Sequence, residues 1–148
     1  MAEKDKWYKV SLRISGDAFN VEEIVSILGL QPTFQGKKGE LMGGKPGRAR
    51  YETNLFGFSL DKSSHIPFEE QIPELLDLID TKINAFKRIL STQGMEGELI
   101  LAFSSGNGQG GAFISSTVLK RITDLGLQLI IDLYPPEGYE QERAGTNA

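Results

Sequence analysis

From Tyr8 to Ser15 apolar and polar residues alternate, with Val10, Leu12 and Ile14 on one side and Lys9, Ser11 and Arg13 on the other. That period of two predicts a strand with one covered face. The spacing changes at Asn20, which stands three residues before Glu23 as in a capping box. Val21, Ile24, Val25 and Leu28 then form a helical stripe that Gly29 is placed to end. Gln31-Pro32 forces an extended exit. Residues 33–50 are polar and glycine-rich, which predicts a loop or loose hairpin. Tyr51 to Leu60 reads as a strand, with Phe56, Phe58 and Leu60 on one face and Gly57 and Ser59 on the other.

Pro67 opens a long helical pattern through Phe68, Ile72, Leu75, Leu76, Ile79, Ile83, Phe86 and Leu90. Pro73 fits only near the helix start or at a restart after an irregular turn. Asp80-Thr81 marks a kink or break, because both residues are weak interior helix formers. The stretch from Glu98 to Tyr134 organises the rest. Leu99 to Phe103 is an unbroken apolar strand, and Gly106 to Gly111 is a glycine-rich turn. A helix capped at Ser115, Ser116 or Thr117 follows, and Gly126 ends it. The last strand sets Leu127, Leu129, Ile131 and Leu133 on one face and Gln128, Ile130, Asp132 and Tyr134 on the other.

These periods predict an α+β fold with a mainly antiparallel sheet, helices on one face and a long helical segment in the middle. Val21, Val25, Leu28 and Gly29 match Val118, Ile122, Leu125 and Gly126 at a constant offset. Two similar strand-helix-strand halves, a ferredoxin-like duplication, are therefore expected. Residues 1–136 read as one domain. Residues 137–148 carry too little apolar content to pack, so a mobile C-terminal tail is expected.

Composition narrows the chemistry. A chain of 148 residues buries a core large enough to need no staple, and it has no cysteine, which removes disulfides, thiol nucleophiles and thiolate metal sites. With no apolar leader after Met1 and no run of membrane-spanning length, a cytoplasmic location is expected and a membrane is not a partner. Sixteen basic and twenty acidic residues give a net charge of −4, which makes nucleic acid an unlikely partner. The exception is local: Lys37, Lys38, Lys45, Arg48 and Arg50 face only Glu40 between residues 37 and 50. A phosphate or acidic-partner contact there competes with a solvated loop.

Three motifs invite a catalytic or cofactor reading. Gly106-x-Gly108-x-x-Gly111 lies between a strand and a helix, with Asp132 downstream at a ribose-contact distance. Against a dinucleotide site, Asp132 sits within its strand rather than at its end, and too little chain follows to complete a doubly wound sheet. A simple backbone turn is the favoured reading. Gly39 to Pro46 approaches a phosphate-binding loop but has Pro46 where Ser or Thr would hold magnesium, and no strand or helix frames it. His65, the one histidine, lies in a turn with no orienting acid. Glu22-Glu23 and Glu69-Glu70 are adjacent pairs that diverge on their helices, so no metal set is expected. Arg13 and Asp132 are candidates for a cross-strand pair.

Several strings carry a resemblance: Ser15-Gly16-Asp17, Ile27 to Thr33, Lys38-Gly39, Leu125-Gly126-Leu127 and Ile131-Asp132-Leu133-Tyr134. Through them the chain, from about Lys9 to Tyr134, resembles the bacterial domain-of-unknown-function family forty-two seventy-nine. It departs from that family in carrying Phe56 and Phe58 where a tryptophan is frequent. The resemblance implies a compact α+β domain, and some members are proposed as immunity proteins of polymorphic toxin systems. It supplies no catalytic residue, and it places Asp17, Lys38, Gly39, Asp132 and Tyr134 in recurring motifs. The expectation is a non-enzymatic cytoplasmic binding domain without a cofactor, with a toxin-neutralising role implied by the resemblance. Its candidate binding surface is Arg13, Asp17, Lys37, Lys38, Gly39, Arg48, Asp132 and Tyr134. The alternative is an enzyme or sensor holding a nucleotide-like ligand at Gly106 to Gly111.

Overall fold

The alternation at the N-terminus becomes β1 (Trp7–Gly16), the central strand of a five-stranded sheet in this computed structural model. The structure describes residues 6–106 and 109–135. After β1 come α1 (Val21–Leu28), β2 (Phe34–Gly36), a 3₁₀ turn at Met42–Gly44, β3 (Asn54–Ser59), α2 (Phe68–Asp80) and α3 (Ile83–Ser91). The chain closes with β4 (Glu96–Ser104), α4 (Ser116–Asp124) and β5 (Gln128–Tyr134). The sheet order is β2-β3-β1-β4-β5, and every neighbouring pair is antiparallel except β4 and β5. No helix among the described residues is long and apolar enough to cross a membrane.

Register explains which face is covered. Leu12 pairs with Phe58 on one side and Leu99 on the other, and Val10 pairs with Leu101, so these residues share a face. All four helices lie against it: α1 over β3, α2 over β1, α3 between α1 and α2, and α4 beside α2 and β5. Val10, Leu12, Ile14, Phe56, Leu75, Leu76, Phe86 and Leu99 have no exposed surface. Burying a side chain of this size fully contributes roughly 1.5–3 kcal/mol. Two polar contacts seat the helices. Gln71 of α2, fully buried, donates from Nε2 to the carbonyls of Tyr8 at 3.1 Å and Ile66 at 2.6 Å. Arg121 of α4 bridges Asp77 and Asp80 of α2, both at 2.8 Å.

The expected caps and breaks are present. The Asn20 carboxamide accepts from the Glu23 amide at 2.8 Å, and the Glu23 carboxylate accepts from the Asn20 amide, completing the capping box. Ser115 caps α4 by accepting from the Val118 amide. The long helical pattern is two helices, separated at Thr81-Lys82, beside the residues whose propensity forecast a break. Through Pro73, by contrast, α2 runs on without a restart. One backbone bond is lost in its second turn, while Ile72, Leu75 and Leu76 beyond it stay buried.

The expected duplication is not reproduced. Both halves do run strand-helix-strand, but β4 and β5 are adjacent and parallel, whereas β3 separates β1 from a β2 of three residues. The sequence echo reports two helices with the same ending, not two equivalent halves. β2 itself escapes the hydrophobic pattern, because its place is set by a bare neighbour. A Cβ on Gly57 would stand 2.0 Å from the Phe34 ring, so only glycine lets Phe34 lie flat across β3.

The helical layer stops short of β5. Leu99 and Leu101 of β4 are buried, but their register partners on the same face, Leu129 and Ile131, are 37% and 62% exposed, and Leu133 is 70% exposed. Leu101 and Ile131 therefore share a row of the sheet with opposite environments. Leu101→Ala is expected to destabilise the chain by about 2–5 kcal/mol, and Ile131→Ala by less than about 0.5 kcal/mol, in urea unfolding at low protein concentration. Equal losses would contradict this boundary of the helical layer.

Candidate functional site

The basic segment is not a featureless loop. Residues 37–53 form a loose hairpin closed by a bridge between Leu41 and Arg50, as the polar and glycine-rich composition predicts. Gly39 donates its amide to the Tyr51 carbonyl and the Tyr51 amide returns a bond to Glu40, both at 2.9 Å. The Arg50 guanidinium donates to the Gly39 carbonyl at 2.7 Å, so this cation braces the hairpin from within. Asn54 at the start of β3 joins hairpin to helix. Its carbonyl oxygen accepts from the Lys38 amide at 3.1 Å, and its Nδ2 donates to the Phe19 carbonyl at 3.3 Å.

Between this hairpin and the first turn of α1 lies an open groove of about 880 Å³. Its hairpin side carries Lys37, Glu40, Arg50 and Tyr51, its helix side carries Glu22, and Asn54 also lines it. The charge is mixed by construction. Glu22 and Glu23 fill the first turn of α1 and the capping box satisfies its leading amides, so this helix start does not present itself to an anion. A groove with both signs, an aromatic ring and open access suits a polar peptide segment better than a single phosphate.

The eight sequence-derived candidates separate into two groups. Asp17, Lys37, Lys38 and Gly39 come together at the groove end of the molecule, where Lys38 and Asp17 form an exposed ion pair at 2.8 Å. The Asp17 hydrogen bond and charge raise the Lys38 pKa. Arg48 lies in the hairpin turn, outside the groove wall, with its amide bonded to the Lys45 carbonyl. Arg13, Asp132 and Tyr134 stand instead on the sheet face without helices. Arg13 does not pair with Asp132, because β4 lies between their strands. Its register partner is Glu98, and the two carboxylate and guanidinium groups meet at 2.6 Å. Glu98 is only 8% exposed, so this pair ties β1 to β4 rather than offering a free cation. Tyr51, Asn54 and Glu22 were missed. Periodicity reads Tyr51 and Asn54 as strand residues and Glu22 as helix surface, and only the tertiary hairpin brings them together.

The glycine-rich turn has backbone reasons where it is described. Gly106 adopts φ +78°, and a Cβ on Gly110 would meet the Phe103 ring at 2.7 Å. Asn107 and Gly108, at the centre of the supposed phosphate loop, lie outside the described residues. The chain then crosses to α2, where the Phe113 amide donates to the Glu69 carboxylate at 2.8 Å. Asp132 sits within β5, level with Ala102. The Asp132 carboxylate, two residues away on the same face, raises the Tyr134 pKa above the ordinary phenol value, and the Tyr134 ring lies 5.0 Å from that of Trp7. His65 occupies an exposed turn, as expected. Among the described residues no group of three or more histidine, aspartate or glutamate side chains is placed to hold a metal ion.

A raised phenol pKa means that the neutral form is the one the native fold favours. The Asp132–Tyr134 contact is thus fully present below pH ~10, the unfolded phenol value, and is lost as pH rises through the higher native value. In an ultraviolet tyrosinate titration, Asp132→Asn is expected to lower the pKa of the Tyr134 phenol, identified as the transition that Tyr134→Phe removes. Titration unchanged by both substitutions would contradict the pairing.

Comparison with known proteins adds the family alone. No curated protein and no solved structure matches the chain. The family model described as Domain of unknown function (DUF4279) matches residues 5–136, nearly the whole sequence. The chain belongs to that family.

Proposed function

We propose that this protein is a non-enzymatic cytoplasmic binding domain that takes a protein segment into the groove between the 37–53 hairpin and α1. The observation that carries this reading is the groove lining, where Lys37, Arg50 and Glu40 of the hairpin stand with Glu22 of α1 and Tyr51. Paired signs at fixed positions select a partner by complementarity and reject one with misplaced charges. The hairpin is braced before any partner arrives, by Arg50 on Gly39 and by Asn54 on Lys38 and Phe19, so less ordering entropy opposes binding.

The resemblance noted in the sequence extends the reading to an immunity protein, whose partner is a bacterial toxin. Neutralising a toxin needs a specific interface, commonly about 800 Å² on each side. The groove and its rim, including the exposed Lys38–Asp17 pair, supply a contiguous polar surface for it.

Co-expression with the toxin encoded beside this gene tests the proposal. The wild-type chain is expected to form a complex and restore growth. Lys37→Glu combined with Glu22→Lys reverses both walls without touching the hairpin's internal bonds, and should weaken the complex at least tenfold, about 1.4 kcal/mol. Lys9→Glu on the opposite sheet face should leave it unchanged. An absent complex, or one indifferent to the reversed walls, would end the assignment.

A further inference from the structure

The edge of the sheet at β5 is a second surface, at the opposite edge from β2 and the groove. β5 is seven residues long, contains no proline or lysine, and among the described residues has a strand partner on its β4 side only. Its outer side is a row of backbone donors and acceptors of the kind that pairs with another strand. Leu129, Ile131 and Leu133 stand exposed beside that row, on the face where the helical layer has ended. Exposed edges are ordinarily blunted by charge, proline or a bulge. Here the one charge is Asp132, which points to the other face, level with Ala102 of β4.

We propose that β5 pairs antiparallel with β5 of a second copy of this chain, about a two-fold axis at Ile131, joining two sheets into one of ten strands. The sequence of the strand selects this occupant. An antiparallel pairing centred on Ile131 is the one register that uses all seven residues. It sets Ile131 against Ile131, Leu129 against Leu133 and Tyr134 against Gln128, so the three exposed aliphatic residues meet one another on one face. Asp132 faces Ile130 of the second copy, and the two carboxylates are kept off one another. A centre at Asp132 would oppose them directly. The same patch serves both copies, as a closed two-fold interface requires. The chain's own residues 136–148 are poorly suited to cover the stripe, since Tyr139 is their one large apolar side chain. Seven ladder residues and three exposed aliphatic side chains place the contact at the small end of specific interfaces, so a dimer of micromolar affinity is expected.

The chain has no cysteine, which makes the register directly testable. Across the two-fold axis the Cα atoms of residue 131 would lie roughly 4.5–5.5 Å apart, within the span of a disulfide. Sedimentation across the micromolar range is expected to show a monomer–dimer equilibrium for the full chain. Ile131→Lys should abolish the dimer while leaving the circular dichroism spectrum unchanged. Ile131→Cys should oxidise rapidly to a covalent dimer, and Leu119→Cys on the exposed side of α4 should do so far more slowly. A wild-type chain that stays monomeric throughout that range, as when its own C-terminal segment occupies the edge, overturns the proposal. So does a dimer that persists in Ile131→Lys or cross-links no faster at 131 than at 119. None of these readouts involves the groove, so the two assignments stand or fall separately.

Discussion

Val10, Leu12 and Ile14 can be fully dry only if a helical layer covers the middle of the sheet, and that requirement sets most of the remaining architecture. A helix is about 10 Å across with its side chains, whereas strands repeat every ~4.8 Å, so one helix covers about two strands. Four helices stacked over five strands would suffice if they were spread evenly. They are not: α2 and α3 sit over the centre, α1 over β3, and α4 leans on α2 through Arg121. The ion pairs of Arg121 draw α4 inward, towards Asp77 and Asp80. The cover is deepest over β1 and β4 and gives out at β5. An uneven distribution of helices thus produces both a rigid middle and a bare edge.

The fold was readable to the extent that local pattern decides it. β1, α1, the break between α2 and α3, and the cap of α4 each follow from spacings within a dozen residues. Where the reading failed, the cause was long-range. β2 is three residues with no periodicity of its own, placed by the bare backbone of Gly57 beneath Phe34. The echo between the two halves was genuine for the helices and misleading for the strands, because strand order depends on pairings that sequence similarity between helices does not encode. The exposure of Leu129, Ile131 and Leu133 was equally hidden. Alternating apolar residues announce a covered face, and here the cover is missing.

The candidate site shows the same division. The density of cations between Lys37 and Arg50 pointed to the hairpin, and the motif residues Asp17, Lys38 and Gly39 do converge there. Their roles are not alike. Lys37 faces the groove, whereas Arg50 is spent on the Gly39 carbonyl and Lys38 on Asp17. Glu22 enters the wall because it lies in the first turn of α1, where an acid suits the helix dipole, and with Glu40 it gives the groove its second sign. Arg13, Asp132 and Tyr134 looked like surface chemistry in one dimension. In three, Arg13 serves the β1–β4 seam and Tyr134 lies against the ring of Trp7.

The sheet order keeps the two surfaces from interfering. β2 and the hairpin stand at one edge and β5 at the other, four inter-strand steps or roughly 19 Å apart at ~4.8 Å per step. Pairing through β5 would leave both grooves at the far ends of the joined sheet, facing away from the two-fold axis. Neither groove would gain or lose a wall residue, so dimerisation would not change the intrinsic affinity of a site for a monovalent partner. For a partner that is itself dimeric the consequence differs. Two rigidly held grooves raise the effective concentration of the second binding event if their separation matches the partner's, and contribute nothing if it does not. A continuous ten-stranded sheet has little freedom to adjust that separation. Selectivity for the spacing of a bivalent partner would therefore come from the sheet, independently of the charges that line each groove.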